Sequence, residues 1–245
     1  LIEHQNFSNT ILWKGERDYI QFISYVWKNI PPSLRGNLTL GGVFNPKNID
    51  QNEINLLYSA DIGDHKWDKV KFKIIDIDSA EELGSLGAHY LCGNYDKAKT
   101  LVKVFEAFKV QIVNFEDFSY LEIIANNYCV LSSESKLNHL IILSDLLSKY
   151  SPKANVAFDE KQSVLDVVLK KVANASGKEV IALQYVDWKG FKGAEKQIKT
   201  EIQRWLTLSL SHTKIEQCAA EVISLAVNDD KGSTWWASAT KEFLH

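Results

Sequence analysis

Between residues 16 and 30, apolar side chains recur at Tyr19, Phe22, Ile23, Val26, Trp27 and Ile30. This i, i+3, i+4, i+7, i+8, i+11 spacing is one face of an α-helix. Pro31 should end it, because a residue preceding proline is pushed out of the α region. The following "PPSLRGNLTL" changes from that period to an alternation, and predicts a strand over 38–44 with a bulge at Gly41–Gly42. "INLLYSA" (54–60) and "KVKFKIID" (69–76) predict two more strands. In the second, Val70, Phe72 and Ile74 alternate with Lys69, Lys71 and Lys73, as in a strand with one solvated face. The three strands are expected to pair as one antiparallel sheet, covered by the 16–30 helix through Phe22, Val26 and Trp27.

From about residue 79 the period lengthens to that of a helix. Ser79 and Glu82 have capping-box spacing, and apolar stripes follow in 96–109, 117–131, 136–149 and 161–173. "SPKAN" (151–155) reads as a loop, and "KEVIALQYVDW" (178–188) as a late strand broken by "GFKG". Gly177, in "NASGKEV", reads as a glycine ending a helix. Stripes resume with Ile198, Ile202, Trp205 and Leu206 in 194–210 and with Ile215, Cys218, Val222 and Ile223 in 214–227. A final short helix is expected within "NDDKGSTWWASATKEFL". The chain carries no internal repeat. Strands gathered ahead of helices indicate an α+β protein: an N-terminal helix and a small, mainly antiparallel sheet, then a mostly helical remainder. The expected parts are residues 1–150 and 151–245, the second able to join the first in one compact domain.

Composition adds limits. The 245 residues are 45% hydrophobic and 24% charged, with a net charge of −3. That is ordinary for a globular protein and gives no overall attraction to nucleic acid or anionic lipid. Cys92, Cys129 and Cys218 are far apart and form no CxxC, so they read as reduced, mostly buried side chains. Neither a long apolar run nor a signal-like leader is visible, and a cytoplasmic location without membrane contact is expected.

Candidate chemistry is sparse. A phosphate loop through Gly177-Lys178 would need glycine at the position of Val172 and a serine or threonine at that of Glu179. The six histidines form no HxH or HExxH, and His89 with Cys92 supplies only half of a zinc ligand set. Asp64, His65 and Asp68 fit a polar turn, while Asp76/Asp78 and Glu81/Glu82 lie adjacent rather than spaced for acid–base work. No catalytic, cofactor or metal residue is therefore assigned. One stretch does carry binding chemistry: Trp188, Lys189, Lys192, Lys196, Lys199 and Arg204 combine cations with an aromatic ring, and Phe191 and Trp205 are interleaved. Such a mixture suits phosphates and stacked bases, although Asp187, Glu195 and Glu201 dilute the charge.

Ile30, Pro31, Leu34, Arg35, Leu38, Thr39 and Pro46, with the paired tryptophans of "TWWASATKEFL", form a pattern that resembles the bacterial GTPase-associated protein 1 family. The resemblance implies an accessory component of a GTPase-centred conflict system, and it carries over no active-site residue. The expected function is a non-catalytic adaptor or regulatory module with a protein partner, a GTPase being the partner that the resemblance implies. An intracellular hydrolase with His65 or His89 beside a carboxylate is the enzymatic alternative. A nucleic-acid module using 188–205 ranks behind a protein partner. Pro31 and Arg35 are read as structural, with Arg35 bonding helix-end carbonyls or a carboxylate across the connection.

Overall fold

The computed structural model describes residues 10–14, 18–36, 38–42, 56–59, 72–76, 84–132, 134–210, 220, 222, 224 and 233–240. The chain divides into two compact units, residues 1–102 with 112–122 and residues 103–111 with 123–245. The division thus runs through two helices.

The first unit holds the sheet. Its strands are β1 (Thr10–Lys14), β2 (Leu40–Gly42), β3 (Leu56–Ser59) and β4 (Phe72–Asp76), in the order β2-β3-β1-β4. An α+β architecture is correct, but the expected antiparallel pairing is not. All three pairings are parallel: Ile11 lies beside Leu56, Leu12 beside Ile74 and Leu40 beside Leu56. The three expected strands are present as β2, β3 and β4, and β1, not expected, sits between β3 and β4. Gly41 and Gly42 stay in register with Leu57 and Tyr58, with no bulge. Ile11, Leu12 and Trp13 are all buried, as are Leu56 and Leu57. Neighbouring strand residues point to opposite faces, so both faces of these strands are covered, the usual condition of a parallel sheet.

Helix α1 (Tyr19–Asn29) lies on one of those faces. Trp13 stacks on Phe22 with ring centres 4.9 Å apart, and Tyr19 stacks on Tyr58 at 4.7 Å. Ile11, Trp13, Tyr19 and Leu56 form the cluster, with Phe22 and Ile23 packed against it. Burial and the neighbouring Tyr58 raise the pKa of the Tyr19 phenol. Val26 is buried as expected, but Trp27 is 44% exposed. Pro31 caps α2 (Pro32–Arg35), its carbonyl accepting from the Leu34 N–H at 2.9 Å. Arg35 is exposed and bonds neither helix-end carbonyls nor a carboxylate among the described residues; its guanidinium lies 5.8 Å from the centre of the Trp27 ring. It links α2 to α1 by a cation–π contact.

Further helices of the chain are α3 (Leu86–Leu91), α4 (Lys99–Phe108) and α5 (Asp117–Cys129). Ser85 caps α3, and Asp117 turns back to accept from the Val113 and Asn114 N–H groups at 2.7 and 2.8 Å. The Ser79/Glu82 capping box lies outside the described residues. Cys92 is half-buried, and Cys129 is exposed rather than buried.

The second unit is helical. Helix α6 (Leu137–Tyr150) buries residues all around its circumference, as a helix does at the centre of a bundle. It contacts α7 (Phe158–Val172), α8 (Gly177–Ala182) and a 3-10 turn at Trp188–Gly190. Helix α7 also meets α9 (Ala194–Leu210), on which α10 (Ser233–Thr240) rests. The expected strand over 178–188 is instead α8, a 3-10 turn at Leu183–Tyr185 and the second turn at 188–190. Ser176 accepts from the Glu179 N–H, and the Glu179 carboxylate accepts from the Ser176 N–H at 2.9 Å. This capping box starts a helix, so Gly177 opens one instead of ending one. Of the 214–227 stripe, Ala220, Val222 and Ser224 are described, all helical.

A lysine-lined groove as candidate functional site

The groove is built from the inside outwards. Trp188 is buried, and its indole N–H donates to the Leu183 carbonyl at 2.9 Å. Phe191, also buried, stands edge-on to it with centres 5.8 Å apart. Between them Gly190 presses on α6 so closely that an added Cβ would lie 2.7 Å from the Ser148 Oγ and 2.8 Å from its Cα. A side chain at 190 would therefore lift the turn off the helix.

Lys161 fixes the same turn from another side. It is only 2% exposed, yet no carboxylate pairs with it among the described residues. Its ammonium donates to the carbonyls of Lys153 and Gly190, each at 3.0 Å, and to that of Ser151. Three donors meet three acceptors, which is how a buried cation without a counter-ion is tolerated. Burial lowers the pKa of this amine below the ordinary lysine range. The Ser151 hydroxyl donates in turn to the Phe108 carbonyl at 2.7 Å. The 151–153 segment and the 188–190 turn are thus held by one side chain.

Gly193, at φ +70, turns the chain into α9. Ala194, Ile198, Ile202, Trp205 and Leu206 face the core, leaving Lys196, Lys199, Thr200 and Gln203 on a polar stripe. The Trp205 indole donates to the Ala175 carbonyl at 2.9 Å, and Trp236 of α10 donates to the Gln184 side chain at 2.7 Å. Lys199 spans the two helices: it pairs with Glu195 at 2.7 Å, donates to the Ser238 hydroxyl and lies 5.4 Å from the centre of the Trp235 ring.

The 188–193 turn, the polar stripe of α9, Ala154 and Ser238 line an open groove of about 790 Å³. Lys189, Lys192, Lys196 and Lys199 line it together, and Glu195 is the one acidic residue of the lining. Lys189, Lys192 and Lys196 are exposed and have no acidic partner among the described residues. Lys192 lies with its ammonium 5.5 Å from the centre of the Phe158 ring.

Five of the six residues singled out from sequence, Trp188 and four lysines, therefore line one groove. Arg204 does not; it is exposed and lies 3.4 Å from Glu201. Trp188 contributes to the floor but is 3% exposed, as are Phe191 and Trp205, so none of these three rings is presented for stacking; Phe158, against Lys192, is exposed. Lys161 was absent from the sequence expectation, although the pattern carried a signal. With Val164, Leu165, Val168 and Val172 it occupies a core position of the α7 stripe, where a lysine must find polar partners inside.

Among the described residues no group of three or more His, Cys, Asp or Glu could hold a metal ion, and no helix is long and apolar enough to cross a membrane. No known protein family, curated protein or solved structure matches this chain.

Proposed function

We propose that this chain is a non-catalytic adaptor or regulatory module that binds a protein partner, within a bacterial GTPase-associated, defence-like assembly of the kind its opening motif resembles. The lysine-lined groove carries the reading: three exposed cations without an acidic partner among the described residues stand on a turn and a helix that are locked from beneath. Rigid presentation reduces the ordering cost of association. A cytoplasmic location goes with this reading. Nucleic-acid binding would draw on the same lysines, but base stacking needs exposed rings, and Trp188, Phe191 and Trp205 belong to the core. The hydrolase alternative gains no support from His89, whose Nδ1 is buried without a hydrogen-bond partner among the described residues.

The test is capture of the tagged chain from nuclease-treated extracts of its own cells, followed by size-exclusion chromatography. A protein partner in stoichiometric amount is expected, with a GTPase in or beside the complex. Recovery of nucleic acid before nuclease treatment, and of nothing after it, would overturn the reading.

A further inference from the structure

We propose that the groove between the 188–193 turn and helix α9 receives an acidic, extended segment of a partner protein. The inference rests on the binding-module reading above and adds the chemistry of what is bound. Lys189, Lys192 and Lys196 line one concavity, and none of the three ammonium groups forms an ion pair among the described residues. Carboxylates arriving there relieve the repulsion among these like charges, whereas elsewhere a surface lysine is already solvated and gains little. Glu195, the one acid in the lining, is taken up by Lys199. That pair shapes the wall and leaves the other three cations to the ligand.

The residue types narrow the choice of anion. Lysine is a compact point charge on a flexible stem and does not demand planar, bidentate geometry. Spaced carboxylates of a peptide suit it. A single strand of nucleic acid stacks successive bases on several rings, whereas Trp188, Phe191 and Trp205 are buried and the exposed Phe158 ring already lies against the Lys192 ammonium. An anionic membrane surface is broad, while these ammonium groups line a concavity.

Fluorescence anisotropy of a labelled peptide of alternating glutamate and serine tests the proposal. Controls are the same peptide with glutamine for glutamate and a labelled single-stranded oligonucleotide. The glutamate peptide should bind, and its affinity should fall with added salt. The Lys192→Glu/Lys196→Glu variant should weaken it by about tenfold or more. Lys170→Glu, an exposed lysine of α7 outside the groove, should not, and thermal melts should show all variants folded. Equal binding of the glutamine peptide, or equal loss in Lys170→Glu, would overturn the proposal. Tighter binding of the oligonucleotide would overturn it in favour of a nucleic-acid surface. In the capture experiment, a partner kept by the double variant defeats the acidic-segment proposal alone. The absence of any partner with the unaltered chain defeats the binding-module reading.

Discussion

Two lysines border the 188–193 turn and differ in almost everything except composition. Lys161 is buried, and its ammonium is shared among three carbonyls of the 151–153 segment and the 188–190 turn. Lys192 is exposed, with its ammonium near the Phe158 ring. The inner cation fixes backbone, and the outer one offers charge. A buried ammonium without its acceptors is strongly unfavourable, so the inner position is demanding in a way that the outer is not. One function of this turn, holding shape, should thus be separable by mutation from the other, presenting charge.

The largest effect is expected at the inner position. Lys161→Met keeps the unbranched stem but removes the ammonium, leaving three carbonyls without their donor. It should destabilise the second unit by about 3 kcal/mol, read from denaturant unfolding. A loss within about 0.5 kcal/mol would mean that water replaces the ammonium freely and that the inner cation is not structural. Gly190→Ala comes next, at about 2 kcal/mol, because its Cβ meets Ser148 backbone as well as hydroxyl. An unchanged melting temperature there would show that the turn can lift from α6 without loss.

Alkali sharpens the contrast further. Burial lowers the Lys161 pKa below the ordinary value of 10.5. Between the lowered value and 10.5 the unfolded chain holds the proton more often than the folded one, so stability gains with pH across that window. Below the window both states are protonated, and nothing changes. The difference between the original protein and Lys161→Met should therefore widen as pH rises towards 10.5, measured as paired unfolding curves. A narrowing difference would place the folded-state value above that of a free lysine. The smallest effect belongs to the groove: Lys196→Ala should change stability by no more than about 0.5 kcal/mol, and a larger loss would make that lysine structural too.

Legibility followed the range of the interactions. The stripes at 96–109, 117–131, 136–149, 161–173 and 194–210 became α4, α5, α6, α7 and α9, since a helix closes its hydrogen bonds locally. Strand direction depends on segments far apart, and alternation reads the same in either direction; hence an antiparallel sheet was expected where a parallel one formed. β1 is a five-residue strand that no period of its own announced. The apolar run at 178–188 reads as a strand, yet Ser176 and Glu179 spell the cap of a helix. The groove divided similarly. Its lysines were legible as a cluster, but Trp205 already belonged to the Ile198, Ile202 and Leu206 stripe and was bound for the core. The Ser148–Gly190 approach joins residues on separate elements, and no local pattern encodes it.

The parallel sheet also has a consequence in time. No strand in it pairs with a partner through a tight hairpin, because parallel neighbours require a long connection. β1 is synthesised first but lies between β3 and β4, so on the ribosome it must wait for chain that has not yet emerged. Each pairing closes a large loop before any contact rewards it, which slows folding. The helices around α6, formed from short-range contacts, have no such delay. A nascent chain halted just after β2 would carry Ile11, Leu12 and Trp13 without the strands that flank them, and this is the stage at which its apolar strand would be most open to a chaperone.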